Sequence, residues 1–254
     1  MTKNKVFPIL LFFVLIFTFV SIAQEMNPDA GKLYNEGNSQ LKAGNYSGAI
    51  SSYDKALAIE KDYRIYYQKG VAQKKKNDLE GAKASLDECI KLKSDFEAGY
   101  NALGGVYFSM GNYQSAISNF EKVLENTNNA SVTKKVKKNL SLAYTKLGNQ
   151  EETQGNPTKA VENLNKAVEN DHYDAAYLSL AKLYSDLSEW DKCISSAENA
   201  LKYKSKITTG GPYYYMGLAY KGKGDTNKAK EMFTKAKSDQ TYRKNAEYQL
   251  DLLK

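Results

Sequence analysis

Residues 97–130 read EAGYNALGGVYFSMGNYQSAISNFEKVLENTNNA, and the spacing within them decides the fold. Tyr100, Leu103 and Tyr107 recur at steps of three and four, which puts them on one stripe of a helix. Gly104 lies on the same stripe, where only a small side chain lets a second helix cross closely. Enlarging such a residue overpacks the crossing, at ~1–3 kcal/mol. Gly111-Asn112-Tyr113 follows. Glycine ends a helix in the left-handed region without a side-chain clash, and asparagine caps the next helix by accepting a free backbone N–H. Ala116, Phe120 and Val123 then form the stripe of a second helix. The stretch predicts two helices folded back on each other.

The same arrangement returns along the chain. Second-helix stripes read Ala49, Tyr53, Ala56; Ala82, Leu86, Cys89; Ala116, Phe120, Val123; Ala160, Leu164, Ala167; Cys193, Ala197, Ala200; and Ala229, Phe233, Ala236. The steps between their first members are 33, 34, 44, 33 and 36 residues. First-helix stripes agree. Tyr213, Met216, Gly217 and Tyr220 repeat the pattern of residues 100–107, and Tyr177, Leu180, Ala181 and Tyr184 repeat it with Ala for Gly. Tyr144, Leu147, Gly148 and Glu151 keep three of the four positions. The first two units are weaker: Leu33, Glu36, Gly37, Gln40 and Tyr66, Lys69, Gly70, Gln73. The other turns follow suit, with Gly44-Asn45, Gly155-Asn156-Pro157 and Gly224-Asp225.

On these residues the chain resembles the tetratricopeptide repeat (TPR) family, whose period is ~34 residues. The resemblance covers about residues 30–243. It implies an all-α, right-handed α-solenoid of about six TPR helical hairpins plus a C-terminal capping helix. The expected units are 30–62, 63–96, 97–130, 141–173, 174–207 and 210–243, with an insertion at 131–140 and the capping helix at 242–254. In the insertion, Val132, Val136, Leu140 and Tyr144 fall at four-residue steps, so it is expected to extend the fourth unit's first helix backward. Lys134, Lys135, Lys137 and Lys138 lie on its other sides, as a solvated face or a docking patch for an acidic partner. Tyr242, Ala246, Leu250 and Leu253 form a last stripe that would cover the open end of the stack. The family often places a proline after each hairpin. Lys61, Ser94, Asn128, His172, Ser205 and Thr241 stand there in this chain, so the loops between units are less rigidly specified.

The N-terminus reads as an address. Residues 1–23 have the features of a secretory signal peptide: Lys3 and Lys5, an apolar run from Val6 to Val20, then Ser21-Ile22-Ala23. Cleavage after Ala23 is expected, leaving residues 24–29 as a short linker and an exported chain, periplasmic or secreted. The alternative is an uncleaved N-terminal membrane anchor, although a full span needs ~20 apolar residues. Of the formal net charge of +7, Lys3 and Lys5 supply two, and acids and bases interleave along the rest. No concentrated basic face is evident, so nucleic acid is not an expected partner. Cys89 and Cys193 fall in the second helices of units two and five. Packed helices lie ~8–10 Å apart and bridged Cα atoms within ~7 Å, so no disulfide between them is expected.

No chemistry is legible. His172 is the only histidine and has no cysteine or second histidine at ligand spacing. No phosphate loop or nucleophile motif appears. Hence no catalytic residue, cofactor or metal ion is expected, and the chain is expected not to be an enzyme. The TPR resemblance instead implies an exported protein–protein interaction scaffold in cell-envelope assembly or secretion. Its concave groove, lined by the first helix of each hairpin, would bind a peptide or partner helix. The alternative is a glycan or small-ligand receptor using groove tyrosines. Groove-facing residues would be Tyr34, Asn38, Arg64, Tyr67, Lys74, Asn101 and Phe108 in the first three units and Tyr214, Leu218 and Lys221 in the last. Tyr34, Tyr67 and Phe108 would form an aromatic ladder dispensable for packing, whereas the neighbouring Tyr66 would belong to the core. Some family members grip a C-terminal carboxylate with a Lys and Asn on one helix. Asn38 fits that pattern, but Tyr34 stands where the Lys would be.

Overall fold

The computed structural model describes residues 25–254, so the signal-peptide reading and its cleavage site fall outside the described residues. Among the described residues there are thirteen helices and no strand. Six hairpins follow one another: α1 (Pro28–Lys42) with α2 (Tyr46–Ile59), α3 (Tyr63–Lys75) with α4 (Leu79–Leu92), α5 (Glu97–Ser109) with α6 (Tyr113–Asn126), α7 (Ala130–Thr153) with α8 (Pro157–Asn170), α9 (Asp174–Asp186) with α10 (Trp190–Lys202), and α11 (Gly210–Gly222) with α12 (Thr226–Ala236). A last helix, α13 (Arg243–Asp251), packs on α12. Each helix packs mainly on its neighbours in sequence, so the molecule is a solenoid. No helix among the described residues is long and apolar enough to cross a membrane.

The turns inside hairpins have a local cause. Gly44, Gly111, Gly155 and Gly224 sit at φ of 78–79°, where a side chain is strained. After Gly111, the Asn112 N–H donates back to Tyr107 O at 3.0 Å, and the Asn112 side chain accepts from Ser115 N at 3.1 Å. Asn45, Asp78 and Asp225 cap their helices in the same way. Asn156 does not cap α8; its amide donates to Glu151 Oε2 at 2.9 Å, and Pro157 occupies the first turn. Asn77 and Ser188 take the left-handed position without being glycine, at φ of 67° and 58°.

Five of the six hairpins cross at a glycine opposite a large residue. A Cβ on Gly37 would lie 2.5 Å from Tyr53, on Gly70 2.7 Å from Leu86, on Gly104 2.7 Å from Phe120, on Gly148 2.8 Å from Leu164, and on Gly217 2.6 Å from Phe233. Each pair is sixteen residues apart. At the same spacing the fifth hairpin has Ala181 and Ala197, both fully buried in one cluster. Glycine therefore accompanies a large second-helix residue, and alanine accompanies alanine.

The loops between hairpins lack prolines, and one is held instead by a buried charge. Asp174 is fully buried at the start of α9. Its Oδ2 accepts from the backbone N–H of Ser205 at 2.6 Å, Lys206 at 2.6 Å and Ile207 at 3.1 Å. Its Oδ1 accepts from Ala175 N at 2.9 Å. Burial raises its pKa, but the hydrogen bonds from Lys206, Ser205 and Ile207 outweigh burial and hold the carboxyl below the ordinary value of 3.8. Cys89 and Cys193 are both free and buried, and burial pushes each thiol up to about 12.

The helix α7 is far longer than the other first helices, and the surplus lies at its N-terminal end. Val136 and Leu140 are buried there against Ala116, Ile117 and Phe120, with Val132 and Tyr144 packed on the same cluster. Lys134, Lys135, Lys137 and Lys138 are exposed. At the other end, Ala246 of α13 is buried with Phe233, and Leu250 and Leu253 pack on that cluster.

Candidate functional site

First helices approach one another closely in the pairs α1–α3, α3–α5, α7–α9 and α9–α11, but α5 and α7 do not come as near. Where they part, a cavity of about 570 Å³ opens on the inner wall. Its lining comes mainly from three first helices, with Lys74 and Lys75 from α3, Asn101, Gly105 and Phe108 from α5, and Asn139 and Leu142 from α7, and Phe120 of α6 also reaches it. Asn101, Gly105 and Phe108 are four and three residues apart, which aligns them on one face of α5. Asn139 Nδ2 donates to Asn101 Oδ1 at 3.4 Å across the gap.

Gly104 and Gly105 divide two tasks. Gly104 admits the Phe120 ring at the hairpin crossing, whereas a Cβ on Gly105 would lie 2.6 Å from Lys74 Nζ. The bare backbone of Gly105 therefore makes room for the Lys74 ammonium. Burial pulls Lys74 below its ordinary pKa, and no ion pair to it occurs among the described residues. A half-buried ammonium without a counter-ion favours an arriving anion, because desolvation has already weakened its hydration.

The structure brings together three of the residues expected in the groove, namely Lys74, Asn101 and Phe108. Asn139, Leu142 and Gly105 complete the cavity, and sequence reasoning missed them. The Gly104-Gly105 doublet was the available signal, since the crossing needs only one glycine. The other expected residues are engaged elsewhere. The Tyr53 hydroxyl donates to Asn38 Oδ1 at 2.8 Å, and Arg64 is paired with Asp62. Lys221 Nζ donates to Gln249 Oε1 at 2.7 Å. Tyr214 packs on Phe233 and Tyr242, and Leu218 joins the same C-terminal cluster. The C-terminal segment thus engages the inner face of the last hairpin.

The aromatic ladder is corrected. Among the described residues no ring contact joins Tyr34, Tyr67 and Phe108 to one another. Tyr34 meets Tyr53, Tyr67 meets Phe96 edge-on at 5.3 Å between centroids, and Phe108 meets Tyr113 at 5.4 Å. Tyr67 also packs on the cluster of Ala82, Leu86, Leu103 and Val106, whereas the half-buried Tyr66 is not among the rings packed there. The physical reason is that the next hairpin begins at Phe96, which closes over the position after Tyr66. Tyr67→Ala is therefore expected to cost about 2 kcal/mol, roughly half the penalty for a fully buried aromatic, and Tyr66→Ala less. Chemical denaturation of both variants checks the order. His172 has a structural place: its ring stacks on Tyr203 at 4.0 Å, and Nδ1 lies 2.8 Å from the Tyr177 hydroxyl.

The profile of the family described as tetratricopeptide repeat matches residues 63–96, 98–129 and 212–238. No curated protein matches the sequence. Among solved structures, the chain is similar to YrrB, described as a TPR protein with an unusual peptide-binding site. The identity is 23%, the match covers 77% of this chain and 96% of that one, and the TM-score is 0.53. It is also similar to the MamA protein, at 25% identity, with 72% and 94% covered and a TM-score of 0.51. A third is pilF of Pseudomonas aeruginosa, at 15% identity, with 83% and 91% covered and a TM-score of 0.50. With the six hairpins and their crossings, these matches show the fold of the described residues: an all-α solenoid of hairpins of the tetratricopeptide-repeat kind, ending in a C-terminal helix.

Proposed function

We propose that this protein is a non-catalytic protein–protein interaction scaffold that holds a peptide segment of its partner on the inner wall between α3, α5 and α7. The observation that carries the reading is the cavity with Lys74, Asn101 and Phe108 on its walls, open where the inner wall parts. Its volume lies within the ~300–1,000 Å³ of ligand sites, and its mix of the Phe108 and Phe120 rings with a few polar groups suits side-chain recognition. YrrB, similar in fold, is described as having a peptide-binding site. Phe108 supplies a rigid aromatic anchor beside a cation, the composition of interface hot spots. Capture of partners from an envelope extract by the purified chain, followed by mass spectrometry, tests the reading. Phe108→Ala should lose the specific partner while the helical signal stays; retention of that partner would place binding elsewhere.

The same reading places the scaffold outside the cytoplasm, in envelope assembly or secretion. The support is residues 1–23, with two lysines, an apolar run and small residues before Gln24. Intact-mass measurement of the exported protein should find Gln24 at its N-terminus. Met1 retained in the membrane fraction would favour the anchor instead.

A further inference from the structure

The helix α7 carries an arm that the repeat does not require. Its residues Lys134, Lys135, Lys137 and Lys138 are exposed, and none is in an ion pair among the described residues. Lysines elsewhere commonly do have partners: Lys83 with Asp87, Lys122 with Glu125, Lys166 with Glu162 and Lys235 with Glu231. The arm has left four positive charges uncompensated within five residues.

Two of them face a second cavity. It measures about 470 Å³ and lies between the arm and the start of α5, with Lys135, Lys138, Val132 and Val136 on one side and Glu97 and Ala98 on the other. Asn101 and Asn139 line this cavity and also the one described above. The two cavities therefore adjoin with the Asn139–Asn101 pair between them, forming a trough in two halves. Lys135 and Lys138 stand at one end and Lys74 and Lys75 at the other, with apolar side chains along the way. Glu97 is the single acid on its walls. Lys134 and Lys137 face the opposite side, toward Asn170 and Asp171.

We propose that this trough binds an extended acidic segment of a partner protein bearing large apolar side chains. Carboxylates of the segment sit against Lys135 and Lys138 at the arm and against Lys74 at the far end. Apolar side chains enter beside Val132, Val136, Leu142 and Phe108. The charge balance selects the ligand's sign, since four lysines face one glutamate, and the valines and Phe108 demand apolar residues between its acids. This inference rests on the groove reading above and adds the ligand's charge and the role of the arm.

The probe is a fluorescein-labelled peptide in which pairs of glutamates alternate with leucines; its counterpart has lysine for every glutamate. Anisotropy with the full chain should show binding of the acidic peptide alone, weakening as salt rises. Lys135→Glu with Lys138→Glu should weaken it by about tenfold or more, and Lys74→Met should weaken it as well. Lys134→Glu with Lys137→Glu makes the same change in net charge on the other side of α7 and should weaken it far less. All four arm lysines are exposed, so circular dichroism and melting curves should be unchanged. Equal loss from both charge-reversal pairs, or equal binding of the lysine peptide, would overturn the proposal. Failure of the acidic peptide while Phe108→Ala still loses the natural partner would sink this inference and leave the groove reading standing. Loss of the natural partner through neither Phe108 nor the arm would remove both.

Discussion

Asp174→Ala is expected to destabilise the chain by about 3 kcal/mol or more, the scale for removing one side of a buried charged network. The carboxylate is fully buried, and one of its oxygens holds three consecutive N–H groups, those of Ser205, Lys206 and Ile207. Removing it strands these donors and frees the loop that sets α11 against α9. Asp174→Asn keeps the shape but loses the charge, so it should fall between the wild type and the alanine variant. The pH dependence has a definite sign. The folded pKa lies below 3.8, so the unfolded state binds the proton more readily. The stabilisation is therefore fully present above the unfolded value and is lost as pH falls through the lower, folded value. Wild type and Asp174→Asn should differ clearly in Tm at neutral pH and converge in acid below that range. A gap that stays constant down to the acid limit would show that the charge is not what stabilises the loop.

Phe233→Ala should cost about 3–5 kcal/mol, the usual loss for a buried aromatic. Its coupling to Gly217 is the more informative result. A methyl on Gly217 would lie 2.6 Å from two atoms of the Phe233 ring, which is fully buried and has no room to retreat. Overpacking of ~1–3 kcal/mol then opposes a gain of ~1 kcal/mol from alanine's better helix propensity, and the clash wins. Gly217→Ala should thus destabilise the wild type. In the Phe233→Ala background the ring is gone and only the propensity gain remains, so Gly217→Ala should be neutral or stabilising. That double variant reproduces Ala181 and Ala197 of the fifth hairpin, which pack together without glycine. A double-mutant cycle measures the coupling. Additive losses would mean that the glycine serves something other than this crossing.

Most of the fold was legible because the repeat writes the same local physics six times. The Gly-Asn turns, the three-and-four spacing and the small residue on each stripe depend on near neighbours in the chain, and the helices form where these signals fall. The site was legible only in part. Register put Lys74, Asn101 and Phe108 beside the core stripes of their helices, and the three line one cavity. Register could not say which inner-face residues are already taken, because the occupants come from outside the helix that carries them: Phe96 over Tyr67, Tyr53 beneath Tyr34, and Gln249 on Lys221.

By itself the sequence determined the helical hairpins, their crossings and the long arm of α7, since each follows from side-chain size and spacing within about a unit's length. Tertiary structure alone decided where the inner wall opens, because a gap between α5 and α7 depends on how successive hairpins stack. It alone placed Gly105 under Lys74, and it set Asp174 against a loop thirty-one to thirty-three residues away. Burial of a charge is a property of everything packed around it, and neither periodicity nor composition carries that information.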